Sequence, residues 1–159
     1  MKDIYKILEE LSIKYVQYDH PAVFTCEEAD QYYAKMTGGH SKNLFLRNKK
    51  GDRYYLVIVK TDKKVDLKGL SEKLAEKKLA FASPERLLNV LGLTPGSVTP
   101  FGLINDENKQ VTVVIDEDLW KYDTLNYHPN VNTATLGISR DDFKKFLDFC
   151  GNGVKFAEF

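Results

Sequence analysis

Two short apolar runs, separated by a polar segment that contains a glycine, limit what this chain can fold into. They cover residues 42–47 and 54–59, and the segment between them is Asn48-Lys49-Lys50-Gly51-Asp52. Apolar runs of this length on either side of a glycine-containing turn are typical of the two strands of a hairpin. The sequence therefore predicts an antiparallel pair of strands here.

Other segments show the spacing of helices or strands. Predicted helices cover residues 3–11, 26–35, 67–77, 84–91 and 140–150. Predicted strands cover residues 15–18, 101–104, 111–116, 133–138 and 154–159. This order of elements predicts an α+β (mixed α/β) fold, in which a curved, mostly antiparallel mixed sheet carries flanking helices.

Two of the predicted helices have clear start and stop signals. Ser83 followed by Pro84 is typical of an N-cap with proline at the first helical position, and Gly92 is a left-handed stop. Ser139 is the predicted N-cap of the last helix, which Gly151 ends. We expect these two helices to have the sharpest boundaries.

Length and charge narrow the class of protein. A chain of 159 residues predicts a single domain spanning residues 1–159. No apolar run approaches the ~20 residues that cross a bilayer, and no signal peptide precedes the first helix, so we expect a cytoplasmic protein and no membrane partner. Its 23 basic and 23 acidic residues argue against wrapping a long duplex, but they permit contact with a few phosphates.

The residues that bind metals or form nucleophiles show no familiar spacing. Cys26 and Cys150 lie far apart and form no CxxC pair, so two ordinary thiols are expected. No pair of histidines has the HExxH spacing, and the GxSxG, GxGxxG and GxxxxGK[ST] motifs are absent. We therefore predict neither a metal nor a cofactor.

A lysine and an amide stand at the head of the first apolar run. Burying the charge of Lys42 without a partner is expensive, so it needs either a partner or a ligand. Asn43 follows it directly, and successive side chains of a regular strand point to opposite faces. Both residues can line one pocket only if the chain turns or bulges at 42–43.

Two later segments could complete a site. In the loop over residues 96–102, two glycines would let a ligand approach backbone N–H groups, although a rigid connector explains the same composition. In residues 127–135, His128 could donate a hydrogen bond or act as a base, or it could be structural. Asn130, Asn132, Thr133 and Thr135 add neutral hydrogen-bonding groups, which would also suit a solvated edge strand.

Three motifs together resemble one known family. They are Ser41-Lys42-Asn43-Leu44-Phe45-Leu46, Gly96-xxx-Pro100 and Tyr127-His128-Pro129-Asn130. In this order and spacing they resemble the YbaK/ProX family of aminoacyl-tRNA editing deacylases, which are related to the editing domain of bacterial prolyl-tRNA synthetases. The resemblance covers residues 15–150 and is strongest to the freestanding prolyl-tRNA deacylases that hydrolyse Ala-tRNA(Pro).

The resemblance implies a small pocket enclosed by the curved sheet, and it implies roles for individual residues. Lys42 would anchor the substrate near the terminal adenosine, Asn43 would line the pocket, and the GxxxP loop would meet the aminoacyl carbonyl. Catalytic roles are implied for Lys42, Gly96, Ser97 and His128, and substrate contacts for Asn43, Val98, Thr99, Pro100, Phe101, Pro129, Asn130 and Thr133. Asn126 replaces the glycine of the family's GxHP element, which leaves the backbone conformation at 126 open.

The implied activity is trans-editing, the hydrolysis of the aminoacyl ester of mischarged tRNA(Pro), above all Ala-tRNA(Pro). Missing methylenes give a synthetase only ~1–3 kcal/mol of discrimination, so alanine misactivation needs a second sieve. A positioned water, loop amides and a lysine would suffice, because the ester is already activated. The implied partners are the acceptor end of tRNA(Pro) and prolyl-tRNA synthetase. Deacylation of Cys-, Ser- or Thr-charged tRNA, or a noncatalytic tRNA-end or synthetase-binding module, remain alternatives.

Overall fold

The computed structural model describes residues 2–22 and 36–159, so the predicted helix over 26–35 and Cys26 lie outside the described residues. In chain order the elements are α1 (Ile4–Glu10), β1 (Tyr15–Asp19), β2 (Gly39–Asn48), β3 (Tyr54–Lys60), α2 (Leu67–Lys73), β4 (Leu79–Phe81), α3 (Pro84–Leu91), β5 (Val111–Asp116), β6 (Thr124–Tyr127), β7 (Ala134–Ser139), α4 (Arg140–Cys150) and β8 (Val154–Ala157). Two 3-10 helices cover Pro100–Asn105 and Glu117–Lys121. Within the two described ranges, no helix is long and apolar enough to span a bilayer.

The strands form one mixed sheet, as predicted. Its order is β1-β7-β6-β2-β3-β5-β8, and β4 also pairs with β2. The pairs β1–β7, β6–β7, β2–β3 and β2–β4 are antiparallel. The pairs β2–β6, β3–β5 and β5–β8 are parallel. The predicted hairpin is the β2–β3 pair at the centre of this sheet, and β2 links its two halves.

One edge of β2 is only partly paired. Gly39 and His40 pair with β6, and residues 46–48 pair with β4. Between them, residues 41–45 have no strand partner on this side within the described chain, whereas β3 pairs with residues 41–47 on the other side. We call residues 41–44 the open edge of β2, since the Phe45 carbonyl is already bonded on this side.

The hydrogen bonds of the hairpin decide which backbone groups face the open edge. The Asn48 N–H donates to the Arg53 carbonyl, and the Thr61 N–H donates to the His40 carbonyl. Even-numbered positions of β2 therefore bond to β3, and the backbone N–H and C=O groups of the odd positions point the other way. The Phe45 carbonyl accordingly accepts a hydrogen bond from the Ala82 N–H, at 3.0 Å.

The two helices with clear sequence signals begin and end as predicted. Ser83 accepts a hydrogen bond from the Arg86 N–H through its side chain, and Gly92 closes α3 with φ 68°. Ser139 caps α4 in the same way, and Gly151 closes it with φ 75°. The helix predicted over 67–77 is shorter and ends at Lys73, because the chain reverses there to bring β4 beside β2.

The strand predicted over residues 101–104 is wrong, because these residues belong to the 3-10 helix Pro100–Asn105. Pro100 has a fixed φ and no N–H, which suits the first position of a helix. Thr99 caps this helix by accepting a hydrogen bond from the Phe101 N–H at 3.3 Å. A short apolar run that is buried on all sides has the same pattern as a strand, so the sequence did not separate the two.

The core lies on both faces of the sheet. Alternate residues of β3 divide between two clusters, as the two-residue period of a strand requires. The larger cluster includes Phe45, Leu56, Ile58, Leu91, Phe101, Tyr127, Phe143 and Phe146. The smaller cluster includes Leu46, Tyr55, Val57, Leu70, Leu74 and Val114.

Tyr127 in the larger cluster leads to a first testable prediction. Its ring lies between Phe101 and Phe143, with centroid distances of 6.0 and 4.7 Å. Its hydroxyl is buried without a hydrogen-bond partner in the described chain, and burial raises its pKa. We expect Tyr127→Phe to leave the free energy of unfolding unchanged or to raise it by up to about 1 kcal/mol, since an unsatisfied buried donor is removed.

Tyr55→Phe is the matched control for that change, measured by urea unfolding. The Tyr55 hydroxyl donates to the Glu76 carboxylate, and burial together with Glu76 raises the Tyr55 pKa to about 12. Removing this hydroxyl should destabilise the protein by about 1 kcal/mol, since a hydrogen bond to a charged group is lost. A larger loss for Tyr127→Phe than for Tyr55→Phe would contradict the prediction.

Candidate active site

Asn43 joins the open edge of β2 to the loop that precedes the first 3-10 helix. Its side-chain Nδ2 donates to the Val98 carbonyl at 3.0 Å. Its Oδ1 accepts a hydrogen bond from the Ser41 hydroxyl at 2.8 Å. Two of the three motifs found in the sequence are thus held together by one amide side chain.

A cleft lies beside this contact, between β2, the start of α3 and the loop over residues 95–98. Its volume is about 210 Å³. The described residues that line it are Asn43, Leu44, Phe45, Phe81, Ala82, Pro84, Leu87, Pro95, Gly96 and Val98. Within this lining, Asn43 supplies the polar side chain, at the end of the cleft where the loop lies. We call that end the amide end.

The walls of the cleft are fixed by contacts behind them. Phe45 stacks on Tyr54, with ring centroids 5.2 Å apart and planes 12° from parallel. The Tyr54 hydroxyl accepts a hydrogen bond from Arg86 of α3 at 2.7 Å, and Arg86 also donates to the Gly51 carbonyl at 3.1 Å. These bonds tie α3 to the hairpin, so the cleft is formed before any ligand arrives.

The loop presents some of its residues to the cleft and buries the others. Gly96 has φ 90°, a conformation that favours glycine, and it lines the cleft together with Val98. Ser97 and Thr99 are buried, and Thr99 is 0% exposed. Pro100 and Phe101 are buried within the 3-10 helix, where Phe101 packs against Phe146 at 5.2 Å. Any ligand in the cleft would meet this loop at Pro95, Gly96 and Val98.

Lys42 and Asn43 lie on opposite faces of β2. The register with β3 is continuous, with Lys42 opposite Val59 and Asn43 opposite Ile58, so the chain has no bulge at 42–43. Lys42 shares its face with Leu44, but Lys42 itself is not among the described residues that line the cleft. It is half-buried, and no residue in the described ranges gives its ammonium a hydrogen bond or an ion pair. The two side chains nevertheless flank the same open edge.

The third motif forms a turn between β6 and β7. The His128 Nδ1 donates to the Ala134 carbonyl at 2.9 Å, which leaves Nε2 as the acceptor nitrogen of the neutral ring. Burial lowers the pKa of His128, so the ring is neutral at pH 7. Asn130 has φ 65°, which asparagine tolerates well, while Pro129 is buried and Thr133 is exposed. The turn reaches the loop through the contact between Tyr127 and Phe101.

His20, which follows β1, packs against this turn, although no role was predicted for it. Its ring lies 5.9 Å from that of His128, and its Nε2 is 2.9 Å from the Thr135 hydroxyl. Its backbone N–H donates to the Thr133 carbonyl at 3.0 Å. The repeated His-Pro dipeptide at 20–21 and 128–129 is the sequence signal that could have pointed to this pairing.

Asn126, the departure from the GxHP element, has ordinary extended backbone in β6. It pairs with His40 on one side and with Gly137 on the other. Its Nδ2 donates to the carbonyls of Thr37 and Gly39, at 2.8 and 3.2 Å. Glycine is therefore not needed at 126 for conformational freedom, and the asparagine holds the start of β2 against β6.

Within the described chain, Cys150 and the acidic groups form no second site. The Cys150 thiol is buried, and burial raises its pKa to about 12, so it is not a thiolate at neutral pH. Among residues 2–22 and 36–159, no group of three or more histidine, cysteine or carboxylate side chains is placed to hold a metal ion.

Comparison with known proteins identifies the family. The sequence model of the aminoacyl-tRNA editing domain family matches residues 20–146 of this chain. The prolyl-tRNA editing protein ProX of Acetoanaerobium sticklandii is 42% identical over 151 residues, which cover 95% of this chain and 92% of that protein. The prolyl-tRNA synthetase associated domain-containing protein 1 of Danio rerio is 36% identical, over 92% of this chain and 80% of that protein.

Solved structures agree with the fold. The crystal structure of hypothetical protein APE2540 has a TM-score of 0.75 at 15% identity, covering 98% of each chain. That of a candidate trans-editing enzyme for prolyl tRNA synthetase has a TM-score of 0.71 at 21% identity, covering 100% of this chain and 98% of the other. The predicted family, fold class and enzyme class, an aminoacyl-tRNA deacylase, are confirmed. This chain belongs to the aminoacyl-tRNA editing domain family.

Proposed function

We propose that this chain is a trans-acting editing hydrolase that cleaves the aminoacyl ester of mischarged tRNA(Pro), with Ala-tRNA(Pro) as its main substrate. The observation that carries the proposal is the hydrogen bond between Asn43 and the Val98 carbonyl, which joins two family motifs at one cleft. The substrate class follows the relative named prolyl-tRNA editing protein. The proposal includes a single editing domain over residues 1–159, a cytoplasmic location and prolyl-tRNA synthetase as a partner.

The amide end of the cleft suits the scissile ester. Gly96 has the backbone freedom that lets a carbonyl approach closely, and the loop can direct N–H groups at the oxygen that becomes negative during attack. Asn43 holds the Val98 carbonyl and thereby fixes the loop. Because an aminoacyl ester is already activated, positioning a water against a polarised carbonyl is enough.

Lys42 can act on the same substrate from the other face of β2. The open edge has no neighbouring strand in the described chain, so a nucleotide at this edge can touch both faces. We assign the Lys42 ammonium to a phosphate of the acceptor end, since a half-buried charge without a protein partner is stabilised by an anion. The backbone groups of Ser41 and Asn43 also point to this edge.

The proton taken from water has two candidate acceptors. The neighbouring ribose hydroxyl of the substrate is one, because it is adjacent to the ester in any aminoacylated RNA and can pass its own proton to the departing ribose oxygen as it accepts the proton of water. The Nε2 of His128 is the other, since its Nδ1 is fixed as a donor to Ala134. His128 does not line the cleft in the described chain, so we assign the first acceptor to catalysis and the His128 turn to support of the loop.

A deacylation assay tests the proposed function. Purified protein is incubated with tRNA(Pro) charged with alanine, cysteine, serine, threonine or proline, and the release of each amino acid is timed. We expect Ala-tRNA(Pro) to be hydrolysed fastest and Pro-tRNA(Pro) to be spared. Faster release of cysteine, serine or threonine would change the substrate. Binding of tRNA with no hydrolysis of any ester would contradict the enzyme and favour a noncatalytic module.

A further inference from the structure

The cleft extends well beyond the groups that an alanyl ester needs. Its volume is about 210 Å³. Roughly seven water molecules occupy this volume in the liquid, at about 30 Å³ each. An alanyl side chain is one methyl group, so most of this space is left for another part of the substrate. The lining also includes Phe81, which stands opposite Leu46 and therefore three residues along β2 from Asn43, together with Pro84 and Leu87 of α3. We call this part of the cleft its outer end.

Phe81 is the most exposed of the large apolar side chains in the described ranges. It is 61% exposed, although it stands in β4 opposite the fully buried Leu46. Its neighbour Ala82 is bonded to the Phe45 carbonyl, so the ring is held at the rim of the cleft by a fixed backbone. An exposed aromatic ring on a rigid strand is a surface on which a flat ligand can stack.

The chemistry of the substrate identifies that ligand. An aminoacyl ester is bonded to the ribose of the terminal nucleoside, so the terminal base lies within one nucleoside of the scissile bond. The described lining of the cleft contains no carboxylate to repel a nucleic acid. Its outer end is apolar, which suits the face of a base and does not suit a phosphate.

We infer that the terminal nucleobase of the aminoacylated RNA occupies the outer end of the cleft and stacks on Phe81. This inference rests on the proposed function, which puts the ester at the amide end. One preformed cleft then binds both parts of the substrate, the base on Phe81 and the ester between Asn43 and Gly96.

The Phe81→Ala variant tests the inference, and Phe149→Ala is its matched control. Phe149 is a phenylalanine of similar exposure, 52%, on α4 and outside the cleft lining. Stacking of one base is worth a factor of about ten or more in affinity. We expect Phe81→Ala to raise the KM for alanyl-tRNA(Pro) by about tenfold with kcat little changed. Phe81→Trp should keep the KM, and Phe149→Ala should leave both constants unchanged.

A second experiment uses an RNA whose terminal nucleoside lacks its base. It shows whether weaker binding by Phe81→Ala comes from lost stacking or from a general loss of protein structure. Equilibrium binding is measured for a short single-stranded acceptor-end RNA, with and without the terminal base, and this readout needs no hydrolysis. The wild-type protein should bind the abasic RNA about tenfold more weakly, and Phe81→Ala should bind both RNAs equally. If Phe81→Ala still distinguishes the two RNAs as the wild type does, the inference is overturned. Absence of hydrolysis in the wild type would overturn the proposed function, and the binding comparison would still decide the inference.

Discussion

Replacing Lys42 with alanine should lower kcat/KM for Ala-tRNA(Pro) by about 100-fold or more while the fold is retained. Losing a charge-assisted contact to a substrate phosphate costs up to about 3 kcal/mol, which is roughly 100-fold. The fold should survive, because the Lys42 ammonium has no ion pair or hydrogen bond in the described chain and its loss leaves no protein group unpaired. Single-turnover deacylation and thermal unfolding of the same variant measure the two effects.

Lys60→Ala is the control for that substitution. Lys60 ends β3 opposite Ser41, on the strand next to Lys42, and lies 3.8 Å from the Asp62 carboxylate. It should lose little activity, since it does not face the open edge. A phosphate contact also predicts that added salt weakens RNA binding less in Lys42→Ala than in the wild type. Full activity of Lys42→Ala would remove the lysine from the proposed site.

Asp106→Ala should produce the largest loss of stability. The Asp106 side chain is 1% exposed and accepts hydrogen bonds from the backbone N–H groups of Gln110 and Val111, at 3.1 and 3.0 Å. It also accepts one from the Asn152 side chain at 2.8 Å. This carboxylate therefore joins the turn before β5 to the segment between α4 and β8. Its removal leaves buried donors unsatisfied, which should reduce the free energy of unfolding by about 3 kcal/mol.

Chemical and thermal unfolding measure this loss. A decrease of about 3 kcal/mol corresponds to a melting temperature roughly 6–12 °C lower in a protein of this size. Glu107→Ala is the matched control, because Glu107 is the next residue and its side chain is exposed. A change below about 1 kcal/mol in Asp106→Ala would show that water replaces the three hydrogen bonds.

Local signals in the sequence predicted the helices better than the strands. The capping residues of α3 (Ser83 and Gly92) and of α4 (Ser139 and Gly151) bond to backbone groups only a few residues away. The local sequence therefore decides where those helices begin and end. The strands β4 and β6 have three and four residues and were not predicted. β4 is stabilised by pairing with β2, which is remote in sequence, and β6 is stabilised by lying between β2 and β7, so local patterns alone did not reveal either strand.

The candidate site was predictable only in part, for the same reason. The family motifs named Asn43 and the Gly96 loop, and the two-residue period of a strand correctly put Lys42 on the face opposite to Asn43. The open edge of β2 could not be predicted, because it depends on where β4 and β6 stop pairing. Phe81 carries no motif, and only the fold brings it to the rim of the cleft.

The asparagine at 126 also restricts which residues can stand across the sheet from it. A Cβ atom added to Gly137 would lie 3.1 Å from the Asn126 Oδ1, closer than side chains normally tolerate. A side chain at 137 would therefore require Asn126 to shift by a few tenths of an ångström, whereas a chain with glycine at 126 would have room for alanine at 137. Such a chain would lose the bonds from Asn126 to Thr37 and Gly39, so we expect the residues at 126 and 137 to change together among relatives.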